Sequence, residues 1–152
     1  MNRPPPSSPE RSDLMRRVRR RGTAPETLVA GMLRALGLAY RLDVAGLPGR
    51  PDFANRRRRW ALFVNGCFWH HHTGCRAATI PKANRAFWTE KLAANRRRDA
   101  KAIRALRAAG FRVVLVWECE TRRPEVLRAR LACLLGDRRG RPVPEPEPAQ
   151  GP

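Results

Sequence analysis

The chain has 152 residues, enough for one domain with a hydrophobic core and too few for two. Lysine and arginine total 32 against 13 acidic residues, a net charge of +19 at pH 7. That excess goes beyond what solubility needs and points to a polyanion partner, nucleic acid first; no long apolar run or basic amphipathic anchor favours a membrane surface instead. Residues 1–10 are polar and proline-rich with no apolar signal core, so the chain reads as cytoplasmic. In a reducing compartment its four cysteines read as metal ligands or buried thiols, not disulfides.

In chain order, residues 1–10 read as a disordered arm, 11–135 as a single folded domain and 136–152 as a disordered Pro/Arg-rich tail. Ser12 or Asp13 caps a short arginine-rich helix to about Arg20. Thr23-Ala-Pro-Glu26 is a capping box with proline in the first turn. The helix it opens places Leu28, Met32, Leu33 and Leu36 on one face and stops at Gly37. Tyr40, Leu42 and Val44 alternate like a strand. After the turn Leu47-Pro-Gly-Arg-Pro51, a second strand begins at Asp52. Arginines 56–59 form a hairpin tip, and Trp60 to Val64 return as a third strand. Asn84 to Ala109 reads as helix with a break, ended by Gly110. Arg112 to Trp117 is an apolar run typical of a buried central strand, and Pro124 to Leu135 closes the domain as a helix. The class is α/β, a mixed β-sheet flanked by helices.

The chemistry is concentrated in Phe63-Val-Asn-Gly-Cys-Phe-Trp-His-His-His-Thr-Gly-Cys75. Cys67, His72, Cys75 and Cys119 offer three sulfurs and one nitrogen, a closed structural zinc set; buried free thiols are the plainer alternative. Cys133 sits at a core-like spacing in the last helix and reads as a buried residue. Asp52, just past a turn, suits a divalent cation held against a phosphate, or is an ordinary turn aspartate. His70 is the histidine left to activate water, with Asp99 as a candidate partner unless that residue is simply a solvated helix position; His71 is unassigned. Phe68 and Trp69 suit a wedge that unstacks base pairs, whereas Trp60, Phe87, Trp88 and Trp117 read as core. The arginine clusters 16–21, 56–59 and 96–98 are phosphate contacts or solvated faces.

Leu47-Pro-Gly-Arg-Pro-Asp-Phe53, Phe63-Val-Asn-Gly-Cys-Phe-Trp-His70, Phe87-Trp88 with Glu90-Lys91, Asn95 and Asp99, and Val116-Trp-Glu-Cys119 together resemble the very-short-patch-repair (Vsr) endonucleases. The likeness covers roughly residues 12–134. It implies a restriction-endonuclease-like fold, a bacterial cytoplasmic setting at the nucleoid, and nicking of duplex DNA 5′ of the thymine in T:G mismatches. It further implies Mg2+ held by Asp52 and the main-chain carbonyl of Val64, with Glu26 holding water on the ion. His70 and Asp99 would be the catalytic pair, and Cys67, His72, Cys75 and Cys119 the structural Zn2+ ligands. Met15, Phe68 and Trp69 would intercalate beside the mismatch. A monomer suits so asymmetric a target, with mismatch-repair proteins as further partners.

The sequence departs from the family pattern in two places. Asn65 stands where family members often carry histidine or aspartate, and seven residues separate Cys67 from Cys75, one more than in some relatives. No acidic-x-lysine half-motif follows Asp52, which argues against an ordinary restriction enzyme. A restriction-type nuclease on matched DNA and an inactive zinc-containing DNA-binding homologue are the alternative readings.

Overall fold

A computed structural model describes residues 9–10 and 21–136. The arginine-rich helix expected at 12–20, Met15 within it, and the tail from 137 lie outside the described residues. Helix α1 spans Ala24–Ala35, and strands β1, β2 and β3 span Arg41–Leu42, Phe53–Asn55 and Trp60–Asn65. Helix α2 spans Arg85–Ala108, strand β4 Arg112–Trp117, a 3-10 turn Glu118–Arg122, and helix α3 Pro124–Leu135. The order matches the expected one element for element within the described residues.

Both longer chain reversals out of helices are glycine-made. Gly37 has φ +68 and donates to Arg34 O while Leu38 donates to Leu33 O. Gly110, at φ +82, donates to Arg107 O while Phe111 donates to Leu106 O. These paired bonds take up the last helical carbonyls, and the left-handed residue between them strains any side chain. At the other end of α1, Thr23 Oγ1 accepts from Glu26 N at 3.4 Å, and Glu26 Oε2 accepts from Gly22 N at 2.8 Å.

The sheet order is β1-β2-β3-β4. The first two pairings are antiparallel, and β3–β4 is parallel, as the long helical crossover through α2 requires. On one face Leu62, Val64, Phe53 and Val116 pack with Val29 and Leu33 of α1 and Leu127 and Leu131 of α3. On the other, Ala54, Ala61, Phe63 and Val113 pack with Leu106 of α2. The alternation along β3 therefore sorts its side chains between two layers of helix.

Several local expectations change. The apolar run 112–117 ends the four-stranded order, with β3 inside it. Helices cover both its faces, which accounts for the valines, and Arg130 Nη2 donates to Leu115 O at 3.0 Å. Helix α2 is continuous, with no break. Strand β1 is only two residues long because Asp43 takes φ +49, and Leu42 is 65% exposed. In α1 the buried face is Val29, Met32 and Leu33, with Leu28 turned outward. Cys133 is exposed: α3 buries Leu127, Leu131 and Leu135, and a residue two beyond Leu131 lies about 200° round the helix. Among the described residues, no helix is long and apolar enough to cross a membrane.

Candidate active site and metal centre

Asp52 sits where β2 begins to part from β3. Continuing the β2–β3 register by two residues puts Pro51 opposite Val64. Proline has no N–H to give, and the Pro51 carbonyl is taken by Val44 N at 3.0 Å. The Val64 N–H therefore finds the Asp52 side chain instead, donating to Oδ2 at 2.7 Å. The N–H and C=O of one strand residue face the same neighbour, so the Val64 carbonyl also faces the Asp52 side.

The Asp52 carboxyl is pushed up to about 6. Burial is the main cause; the Val64 N–H opposes it, the Glu26 carboxylate adds to it, and His70 opposes it. The charges of Glu26 and His70 thus act on Asp52 through space, although they come from α1 and from the segment after β3. Glu26 has a local role as well, in the capping box at the head of α1.

The segment after β3 is wound on itself. His70 N donates to Gly66 O, His71 N to Phe68 O and His72 N to Cys67 O. His71 carries the left-handed turn at φ +46. Two consecutive residues of this segment are gripped by α2: Asn95 Nδ2 donates to Trp69 O at 2.9 Å, and His70 Nδ1 meets Asp99 Oδ2 at 2.5 Å. Asn95 and Asp99 are one helical turn apart, so they present on one face. A carboxylate on Nδ1 fixes the proton there and leaves Nε2 as an acceptor.

His72, and not His71, joins the sulfurs. One ligand atom from each of Cys67, His72, Cys75 and Cys119 lies within 4.8 Å of the others. His72 Nδ1 is 3.7 Å from Cys67 Sγ and 3.5 Å from Cys119 Sγ. A tetrahedral ion with bonds of about 2.0–2.3 Å needs ligand atoms roughly 3.5–3.8 Å apart. Burial pushes the Cys67 thiol up to about 12, and the neighbouring Cys119 and Cys75 sulfurs add to the rise. Trp117, expected in the core, is half-buried and stacks flat on the His72 ring, 4.1 Å away at 3°. The donor set and its spacing fit a metal ion, and soft thiolates with one imidazole fit zinc best.

Phe68 and Trp69, the expected wedge, have companions that the sequence did not reveal. Phe68 packs edge-on against Trp69 at 5.0 Å and against Trp88 at 5.5 Å, and Phe87 meets Trp88 at 5.4 Å. All four rings are half-buried rather than core. Their clustering was hidden because nineteen positions separate Trp69 from Trp88; the available hint was two aromatics opening a strongly basic helix. Along that helix Arg96, Arg97 and Arg98 are exposed, Arg97 on Glu90 at 2.8 Å and Arg98 on Asn95 at 3.2 Å. The arginines of the 56–59 tip are exposed as well.

A half-buried carboxylate of raised proton affinity and an imidazole oriented by Asp99, on a chain of net charge +19, are the kinds of group a metal-assisted nuclease uses. A family profile described as DNA mismatch endonuclease Vsr matches residues 7–76. The chain is 46% identical over 129 residues to the type II nicking enzyme V.XorIIP of Xanthomonas oryzae pv. oryzae, spanning 84% of this chain and 94% of the relative. It is 44% identical over 117 residues to the DNA mismatch endonuclease Vsr of Escherichia coli, 77% of this chain and 74% of that one. With the type II nicking enzyme V.NmeAIP of Neisseria meningitidis it shares 37% over 126 residues, 83% and 89% of the two chains. The chain belongs to the Vsr family of DNA endonucleases.

Proposed function

We propose that this endonuclease nicks one strand of duplex DNA 5′ of the thymine in a T:G mismatch, the product of 5-methylcytosine deamination, and so opens very short patch repair. The observation that carries this reading is the adjacency of Trp69 and His70, both fastened to α2 by Asn95 and Asp99. A ring that enters the base stack is thereby rigidly linked to the base that acts on the backbone. Unstacking costs least at a mispair, so Phe68, Trp69 and Trp88 favour such a site, with Met15 added from outside the described residues. Relatives named as a mismatch endonuclease and as nicking enzymes agree with it.

Asp52 and the Val64 carbonyl would hold magnesium, and Glu26 would order water in the same pocket. When bound, the ion supplies a Lewis acid at the scissile phosphate. His70 Nε2 takes a proton from the attacking water while Asp99 holds the ring and stabilises its charged form. Zinc on Cys67, His72, Cys75 and Cys119 would fix the segment that carries both wedge and base. The enzyme would act as a monomer in the cytoplasm at the nucleoid, handing its nick to repair proteins.

Asp99→Asn should lower the single-turnover nicking rate by roughly 10²–10⁴-fold with little change in duplex affinity. The loss follows from a wrong or wandering tautomer, and a rate equal to wild type would remove Asp99 from the mechanism. The function itself is tested with end-labelled duplexes differing in one base pair, T:G, T:A or C:G. Cutting of the T:G duplex alone, on the thymine strand alone, is expected; equal cutting of all three would make this a nuclease of matched DNA.

A further inference from the structure

Helices α1, α2 and α3 all finish at one end of the sheet. Asn55 of β2 pairs with Trp60 of β3, and its Nδ2 donates to Ala39 O, just beyond α1, at 2.8 Å. Arg59 Nη1 donates to Ala109 O, at the end of α2, at 3.0 Å, and Arg112 Nη1 donates to Leu134 O of α3. This is the end where β3 and β4 begin, whereas Asp52, Val64 and His70 lie where they finish. The steps along β3 from Trp60 to Val64 span about 13 Å.

Residues 27–42, 53–62, 100–115 and 126–136, which run to this end, contain no aspartate or glutamate. Helix C-termini carry partial negative charge, so some cations belong here on any account. Arg59 and Arg112 answer that need, each on a terminal helix carbonyl. The rest of the hairpin tip has no such explanation. Glycine, asparagine or aspartate makes a chain reversal at less cost than arginine, and four successive like charges repel one another. Arg59 even takes φ +51, a left-handed conformation. The tip is also held still: Asn55 Oδ1 accepts from Arg58 N at 2.9 Å, and Arg59 O accepts from Arg112 N at 2.8 Å. Arginines 56–59 are all exposed, as is Arg107 in the last turn of α2. A fixed, exposed row of guanidiniums with no carboxylate in its supporting stretches suits the oxygens of a phosphate backbone.

We infer that this end binds the phosphate backbone of a second DNA segment while a first lies over Asp52 and His70. The tip stands at the far end of the strands from Asp52, so the duplex being cut does not supply the phosphates it holds. The contact is to backbone alone, so it carries no sequence preference and weakens as salt rises. A chain held on one segment meets another at high local concentration, which speeds its transfer between them. The inference goes beyond the nicking reading and does not depend on which base pair is cut.

The test uses the full chain with calcium in place of magnesium, a short T:G duplex carrying one dye and a short matched duplex carrying another. Sedimentation reads the mass of the complex that carries both dyes. One chain with two duplexes is expected, the matched duplex leaving first as salt rises. Arg56→Gln, Arg57→Gln and Arg107→Gln combined should weaken the second duplex roughly tenfold or more and lower its salt slope by about 0.9 for each arginine lost. The melting temperature, the T:G duplex affinity and the nicking rate with magnesium should match wild type. Lysine at the same three positions keeps the charge and should keep the second duplex. A wild-type chain that never carries two duplexes overturns the inference, as does a glutamine variant that binds the second one like wild type. Loss of T:G duplex binding and nicking in the glutamine variant also overturns it, and puts these arginines on the substrate. Loss of the second duplex in the lysine variant as well overturns the charge argument. Wild type that holds both duplexes yet nicks neither counts against the nicking reading alone and supports this second site.

Discussion

Asp52→Asn should abolish nicking, by on the order of 10³-fold or more, and at the same time stabilise the metal-free protein above pH 6. The two effects share a cause. The Asp52 carboxyl is raised from the usual 3.8 to about 6 by burial and by Glu26, against the pull of the Val64 N–H and His70. The folded protein therefore holds this proton more tightly than the unfolded chain does. The resulting stabilisation is complete below pH 3.8 and is lost as pH rises through about 6. At pH 8 the charged carboxylate costs about 3 kcal/mol relative to a neutral group, an upper figure because the pocket is not fully closed. Asparagine keeps an oxygen for Val64 and removes the charge, so the variant should melt higher than wild type at pH 8 and nearly together with it at pH 4. Magnesium should raise the wild-type melting temperature and leave the variant's unchanged. Nicking by wild type should fall as pH drops below 6, when proton and cation compete for one carboxylate. A variant that still nicks, or that melts lower at pH 8, would remove Asp52 from the cation site.

The second large effect is expected at the cysteine cluster. Cys119→Ser should lower the metal content, measured by mass spectrometry, from one zinc per chain to a small fraction, and nicking should disappear. Structural zinc binding is worth about 10–16 kcal/mol in small peptides, comparable to the whole stability of a domain, about 5–15 kcal/mol. Removing one ligand leaves buried Cys67 beside an incomplete site. The segment from Gly66 to Cys75 depends on few other anchors, mainly its own turns and the bonds from Asn95 and Asp99. Its loosening would displace Phe68, Trp69 and His70 together. Protection of the His70 and His72 amides from hydrogen exchange should fall in the variant while that of Leu62 and Val116 persists. Full activity in a zinc-free protein would show that protein contacts alone hold the segment.

The sequence was most readable where chemistry is local. Helix α1 could be bounded because Thr23, Pro25, Glu26 and Gly37 act within a few residues, and the cysteine–histidine run announces its own site. His70 with Asp99 was one candidate pairing that the resemblance made definite, since twenty-nine positions, a loop and half of α2 lie between them. What could not be read was set by packing at a distance. Val113 to Val116 looks like a central strand because helices bury both faces, and apolar content does not say which neighbour supplies the hydrogen bonds. Trp88 and Trp117 are large enough to suggest core, yet one completes the ring cluster and the other lies on His72. His72 was already in the expected ligand set; what the sequence did not signal is the left-handed turn at His71, which is outside that set. Asn65 departs from the family motif and is the one polar side chain in the described core.

The measurement that bears most directly on the account is the mapping of nicks in a duplex library carrying one T:G pair between randomised flanks, incubated with the enzyme and magnesium. One cut, immediately 5′ of the mismatched thymine and on that strand only, is predicted, with none in the matched library or with Asp52→Asn. Cuts on both strands, or at equal frequency in the matched library, would contradict it.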